Sequence, residues 1–215
     1  MGDVYAADTR RKEIGQARRE KTRMKLLASA ARVIAQRGEE KATIDDFIQA
    51  AGVARGTFYN YYSTRNELLE DLWTGIGRDP FRAISDACAT LEDPAERLVT
   101  QARMVLTCAA GNPTWGWLVY ALSVDADTIN SDLLAYPRPD LISGLNTGRF
   151  SFDNIDSAND LVVGGIRRAL RAILSETRSE HYDEALGTML LRALGLETDE
   201  AASLAGKPLL EIRPA

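Results

Sequence analysis

Apolar residues recur at spacings of three and four along most of the chain, and no useful length alternates with period two. Leu26, Ala30 and Val33, with Leu27, Ala31 and Ile34, make one apolar face, which predicts a helix from about Arg18 to Arg37 ended by Gly38. Ile44, Phe47, Ile48 and Ala51 make the next stripe. Thr43 can cap that helix, Asp45 and Asp46 suit its positive end, and Gly52 supplies the left-handed residue at which it stops. After Val53 a second helix of about eight residues is expected from Arg55. Its Phe58 and Tyr62 face inward, leaving Arg55, Thr57, Tyr59, Asn60 and Tyr61 outward. Two short helices joined by a tight turn, the second with a polar and aromatic outer face, suit the major groove of DNA.

Beyond this unit the same period continues. Ser63 to Glu67 opens a fourth helix through Leu68, Leu69, Leu72 and Trp73 to about Ile76, loosened by Gly75 and Gly77. Asp79-Pro80, Asp93-Pro94 and Asn112-Pro113 each set a capping residue before a proline, which marks a helix start; Asp93 with Glu96 adds a capping box. Leu98 to Ala109 is apolar on several sides, so that helix is expected to run through the middle of the fold. Pro137 and Pro139 interrupt a later segment, which Gly144 and Gly148 close, and 149–155 reads as a loop. Two amphipathic helices follow, capped by Ser157 with Asp160 and by Ser179, and Thr198 caps a short last helix ending near Gly206. The expected fold is all-α. A flexible basic arm (1–17) precedes a three-helix head (18–65), then come a larger helical domain (66–206) and a frayed tail (207–215).

Charge sharpens the division. The formal net charge is −5, yet residues 1–65 hold 13 Lys/Arg against 8 Asp/Glu, a balance of +5, and the remainder carries −10. Between Thr9 and Lys25 eight basic residues (Arg10, Arg11, Lys12, Arg18, Arg19, Lys21, Arg23, Lys25) face only Glu13 and Glu20, a stretch able to neutralise phosphates. A basic head on an acidic body is an electrostatic footprint for nucleic acid at one end. No apolar run reaches the roughly 20 residues that span a bilayer, and no secretory leader is visible, so a cytoplasmic protein is expected. Cys88 and Cys108 lack metal-ligand spacing and read as reduced core residues. One histidine (His181, expected to be exposed), no phosphate loop and no nucleophile beside a base argue against an enzyme, and no metal or cofactor is expected.

In the larger domain Phe81, Met104, Cys108, Trp115, Trp117 and Tyr120 are candidates to line a cavity for a small effector, with packed core the alternative. Trp115 and Trp117 lie two apart, so only one is expected to point inward. The two late helices carry more apolar surface than one neighbour covers. Leu161, Val162, Ile166, Ala169, Leu170 and Ile173 on the first, with Tyr182, Leu186, Met189 and Leu190 on the second, are therefore expected to form a homodimer interface. Gly164, Gly165, Ala169 and Ala172 would let a helix approach closely.

From Ala42 to Leu69 the sequence resembles the TetR family of bacterial transcriptional regulators. The residues that carry the likeness are Ala-Thr-Ile-Asp-Asp-Phe (42–47), Ala-Ala-Gly-Val-Ala-Arg-Gly-Thr-Phe-Tyr-Asn-Tyr-Tyr (50–62) and Arg65-Asn66-Glu67-Leu68-Leu69. The resemblance implies a homodimer on a near-palindromic double-stranded operator, a ligand cavity in the larger domain and a four-helix dimer interface. It places Arg55, Gly56, Thr57, Tyr59, Asn60 and Tyr61 on the DNA face, with Thr43 and Arg65 on phosphates at its ends. The chemistry agrees: Arg55 can pair with guanine O6 and N7, Asn60 with adenine or a phosphate, and the tyrosines suit phosphates or a thymine methyl. Position 54 is often Ser in the family and is Ala54 here, so the recognition helix lacks a side-chain cap. The resulting reading is a repressor released by a small effector. The rival is a DNA-binding adapter whose larger domain recruits a protein.

Overall fold

The computed structural model describes residues 2–37, 41–74, 78–123, 136–175 and 178–212, and for 2–14, 35, 78–79 and 121–122 it describes the backbone alone. The helix ends and loosening expected at Gly38, Gly75 and Gly77 lie outside these residues, as do the side chains of Arg10, Arg11, Lys12 and Asp79. Every described regular element longer than one turn is an α-helix. In chain order these are α1 (Gly2–Arg37), α2 (Ile44–Ala51), α3 (Arg55–Tyr59), α4 (Arg65–Leu72), α5 (Arg78–Cys88), α6 (Pro94–Gly111), α7 (Pro113–Leu122), α8 (Arg138–Asn146), α9 (Ile155–Ser175), α10 (Tyr182–Ala193) and α11 (Thr198–Ala205).

The first helix departs from the sequence reading. It runs 36 residues, so 2–17, expected as an irregular arm, continue the helix that starts the head. The stretch has no proline, and its Ala, Arg, Lys, Glu and Gln extend a helix already nucleated by packing farther along. At the other end, 207–212 is tethered and not frayed. The Arg103 guanidinium donates to the Lys207 carbonyl at 2.6 Å, the Lys207 ammonium meets Glu96 at 2.7 Å, and Leu209, Leu210 and Ile212 pack on the core.

Two apolar clusters hold the molecule, and their boundary is not the one drawn at residue 65. The first joins Leu26, Phe47 and Phe58 of the head to Leu68, Leu72 and Trp73, then to Trp115, Leu118 and Leu170 of the body. The second gathers Leu98, Leu141, Phe150, Val162, Leu190 and Leu204 at the far end. Between them runs α6, packed against α5, α7, α8, α9, α10 and α11, the central position its all-round apolarity predicts. Head and body thus share one core, through which a change in the body can reach the head.

Capping followed the predicted chemistry at some helices and not at others. Asp93 accepts from the Ala95 amide at 2.9 Å, and Asn112 accepts from the Trp115 amide at 3.2 Å. Glu96, expected to complete a box with Asp93, holds Lys207 instead. At α9 the cap is Asn154, whose side-chain Oδ1 accepts from the Ser157 amide at 2.8 Å, because the helix begins two residues before Ser157. At α10 and α11 neither Ser179 nor Thr198 caps: His181 precedes α10 at φ 60° and Glu197 precedes α11, both without a side-chain cap bond. His181 is exposed, as expected.

Candidate functional site

The head is built by short-range chemistry. Thr43 and Asp46 form a reciprocal box: the Thr43 hydroxyl accepts from the Asp46 amide at 3.2 Å, and the Asp46 carboxylate accepts from the Thr43 amide at 3.0 Å. That amide bond, with the Thr43 hydroxyl and Arg37 behind it, holds the Asp46 carboxyl below the usual carboxylate range. Gly52 closes α2 at φ 56°, a conformation that costs a side chain its Cβ contacts. The next helix, α3, has Ala54 at its N-cap without a side-chain bond and spans five residues, not eight. It stops at Asn60 because the chain turns inward: the Tyr61 and Tyr62 amides both donate back to the Phe58 carbonyl, and Tyr62 is pulled into the core.

On the outer face Arg55 is 66% exposed, 3.2 Å from Asp45 and stacked over the Tyr59 ring at 5.9 Å. Gly56 and Asn60 are exposed, Tyr59 is 44% exposed and Thr57 is half-buried. A Cβ added at Gly56 would meet nothing within 4 Å, so nothing in the chain itself requires glycine there. Thr43 is exposed and Arg65, the first residue of α4, is half-buried. Tyr61 differs from the reading of an outward residue. Half-buried, it donates its hydroxyl to the Arg19 carbonyl at 3.2 Å and carries the Arg19 guanidinium 5.4 Å over its ring. It therefore fixes the flank of α1, where Arg18, Arg19, Lys21 and Lys25 are exposed beside the motif.

One cluster was missed in the sequence. The Asp71 carboxylate on α4 receives Arg23 of α1 (Nε, 2.6 Å) and the Tyr62 hydroxyl (2.6 Å) at the end of the helix–turn–helix. Burial alone would raise the Asp71 carboxyl; the Arg23 and Tyr62 hydrogen bonds outweigh it and hold it below the ordinary value. Burial, then the bond to Asp71, raises the Tyr62 phenol, so it stays a donor. These three residues lie on separate elements with no periodic relation, so no local pattern announces them. Arg23, counted among the arm's bases, is a structural pin of the head.

In the body a cavity opens between α5, α6, α7 and α9. Its free volume is about 40 Å³, room for roughly three waters. Phe81, Val105, Val119 and Pro137 line it with Val163, Ile166 and Leu170 of α9; Ser123, Tyr136 and Arg167 also border it, yet its surface is almost wholly apolar. Of the six residues expected to line it, Phe81 alone does. Met104, Trp115, Trp117 and Tyr120 are buried in the packed core, and half-buried Cys108 leans on it. Both tryptophans are buried despite their spacing, because α7 is wedged between α1, α6 and α9 and has no free side. Gly116 between them makes this possible: a Cβ there would stand 2.8 Å from the Ala109 Cβ. The missed wall had a signal in the sequence, since Val163, Ile166, Arg167 and Leu170 recur at helical spacing.

Aromatic contacts lead from this cavity to the head. The Phe81 ring stands edge-on to Tyr136 at 4.9 Å and to Trp73 at 5.8 Å, and Trp73 directly follows α4. Burial, then the nearby Asp140, raises the Cys88 thiol to about 12, which leaves it unreactive at neutral pH.

The residues assigned to a dimer interface divide. Val162, Ala169, Leu170 and Leu190 are buried in the chain's own core, and Ile166, Ile173, Tyr182 and Leu186 pack half-buried against it. The sequence pattern could not separate these from an outer stripe, because α9 is covered on two sides by α6 and α7. Leu161 (47%) and Met189 (66%) remain exposed, with Gly164 and Ala185 exposed near them on the same two helices.

Residues 26–72 match the family model described as bacterial regulatory proteins, tetR family, and residues 93–207 match that described as tetracyclin repressor-like, C-terminal domain. The chain belongs to the TetR family of transcriptional regulators. Among curated TetR-type relatives, an uncharacterized HTH-type transcriptional regulator, YvdT of Bacillus subtilis, is 47% identical over 45 residues, 21% of this chain and 23% of the relative. The HTH-type transcriptional repressor KstR2 of Mycobacterium tuberculosis is 30% identical over 76 residues, 35% of this chain and 38% of the relative. The chain thus spans well under half the length of the curated relatives it matches. A crystal structure of RolR in complex with resorcinol aligns over 92% of this chain and 100% of that one, at 29% identity and a TM-score of 0.71. A gamma-butyrolactone receptor (ArpA-like protein) shares the fold at 18% identity and a TM-score of 0.61, over 87% of this chain and 96% of that one. TetR-family regulators are DNA-binding proteins, and the match over residues 26–72 contains α2 and α3; no helix among the described residues is long and apolar enough to cross a membrane.

Proposed function

We propose that this regulator is a homodimeric repressor whose two α3 helices read a near-palindromic operator, released when a small ligand enters the cavity between α5, α6, α7 and α9. The observation that carries the reading is the contiguous path from cavity to DNA face. Phe81 is both a cavity wall and the ring against Trp73, and the adjoining α4 holds Tyr62 and Arg23 through Asp71. A ligand that displaces Phe81 shifts α4, and with it the seat of the recognition helix. Release requires that the ligand favour the shifted state; a tenfold preference corresponds to about 1.4 kcal/mol. RolR, solved with resorcinol, supports a small-molecule ligand. The exposed Leu161 and Met189 support pairing of two copies through α9 and α10. Arg55, Gly56, Thr57, Tyr59 and Asn60 read the groove, while Thr43, Arg65 and the exposed bases of α1 hold phosphates, with Tyr61 seating Arg19. The cavity favours this reading over a protein-recruiting adapter.

A salt titration of DNA binding tests the electrostatic part. With six to ten phosphates neutralised per dimer, affinity is expected to fall about 10³- to 10⁵-fold between 50 and 200 mM salt. Affinity that stays level over that range would refute the assigned DNA face.

A further inference from the structure

Resting on the ligand reading above, we infer that the cavity takes a compact uncharged hydrocarbon of one ring, held by apolar contact and by no hydrogen bond. Phe81, Val105, Val119, Val163, Ile166 and Leu170 line the space with hydrocarbon, and its surface is almost wholly apolar. The three polar residues at its border present no polar atom to it. The Ser123 hydroxyl already donates to the Tyr120 carbonyl at 2.7 Å. The Tyr136 hydroxyl is itself enclosed and has no accessible surface, so this residue offers the ligand only its ring. The Arg167 guanidinium lies over the ring of Tyr120 at 5.8 Å, a residue that does not line the space. Water needs about two to four polar partners to settle in such a cavity, and finds none among the described residues. A charged or hydroxylated ligand would give up its hydration for no partner in return. What gains by entering is a molecule that water itself holds poorly.

Shape narrows the class. The Phe81 ring stands edge-on to Tyr136 at 4.9 Å and both border the space, a surface on which another ring finds favourable offset or edge contacts. Size supplies the coupling. The free volume is about 40 Å³, whereas a dry apolar cavity that takes benzene measures about 150 Å³. A ring therefore enters only as a wall moves. Val105, Val119 and Leu170 are locked in the packed core, while Phe81 is half-buried in the first turn of α5. Phe81 is the wall that yields to one ring; a fused multi-ring system would need the packed walls to move as well.

Calorimetric titration of the full chain with toluene, with phenol, which puts a hydroxyl in place of the methyl group, and with resorcinol tests the inference. Toluene is expected to bind at least about tenfold more tightly than phenol, and resorcinol more weakly still. Val163 is a half-buried wall residue, a position where substitution disturbs the core least. Val163→Thr adds a hydroxyl to the wall and is expected to narrow the preference for toluene over phenol. Val163→Phe fills the space and is expected to abolish toluene binding without lowering the melting temperature. Should Val163→Phe unfold, the narrowing in Val163→Thr carries the test by itself. Phenol or resorcinol bound as tightly as toluene, toluene affinity unchanged in both variants, or no binding of any probe would each overturn it. The same samples titrated with operator DNA separate the two readings. Toluene bound without DNA release leaves the ligand class standing and defeats the effector mechanism. DNA release by resorcinol without toluene binding defeats the ligand class and leaves the mechanism standing.

Discussion

Phe58→Ala is expected to destabilise the protein by about 3–5 kcal/mol, the range for emptying a packed phenylalanine site. The ring is fully buried, stands 5.5 Å from Tyr59 and 5.8 Å from Tyr62, and shares a cluster with Leu26 and Phe47. It is the inward anchor of a five-residue helix that has too few internal hydrogen bonds to persist alone. Against a typical total of about 5–15 kcal/mol, such a loss unfolds the head at moderate temperature. Because the cluster continues through Leu72 and Trp73 into α7, the damage is not confined to the DNA-binding end. Urea unfolding followed by helical circular dichroism checks this: a large drop in midpoint is expected, and an unchanged midpoint would mean that the head does not rest on Phe58.

Arg55→Ala separates recognition from stability. The side chain projects from the start of α3, and its contacts with Asp45 and Tyr59 are exposed ones of small energetic weight. Melting is therefore expected to be unchanged. A bidentate arginine–guanine contact contributes about 1–3 kcal/mol of discrimination, so preference for operator over scrambled DNA is expected to fall roughly 5- to 150-fold. Competition binding at fixed salt reads this directly. Retention of full preference in a folded Arg55→Ala protein would move recognition to other residues.

What the sequence revealed follows the range of the physics involved. The helix–turn–helix was legible because its determinants are local: a stripe at spacings of three and four, the Thr43–Asp46 box, and Gly52 at a left-handed turn. The long α1 was not, since 2–17 has no apolar period and owes its helix to propensity and to the packed turns that follow. The cavity was misplaced for a different reason. Its walls come from several elements, and the α9 stripe of Val163, Ile166 and Leu170 is as apolar as an interface would be. Apolarity alone does not say whether a helix face meets its own chain, a ligand or a partner. Trp115 and Trp117 teach the same lesson, because a helix covered on every side buries residues that periodicity would place on opposite faces. The Arg23–Asp71–Tyr62 cluster joins three elements through one carboxylate, a tertiary contact that no spacing encodes.

Arg55 and Phe58 sit three residues apart on one short helix, one facing out and one in, and this helix, presented twice, is the proposed reader of DNA. Selection of bound fragments from a random DNA pool by the purified protein is the decisive measurement. Enrichment is expected of a near-palindrome whose half-sites are centred about one helical turn, roughly 34–36 Å, or a multiple of it apart. Enrichment of no sequence, or of a lone half-site without its symmetric mate, would contradict it.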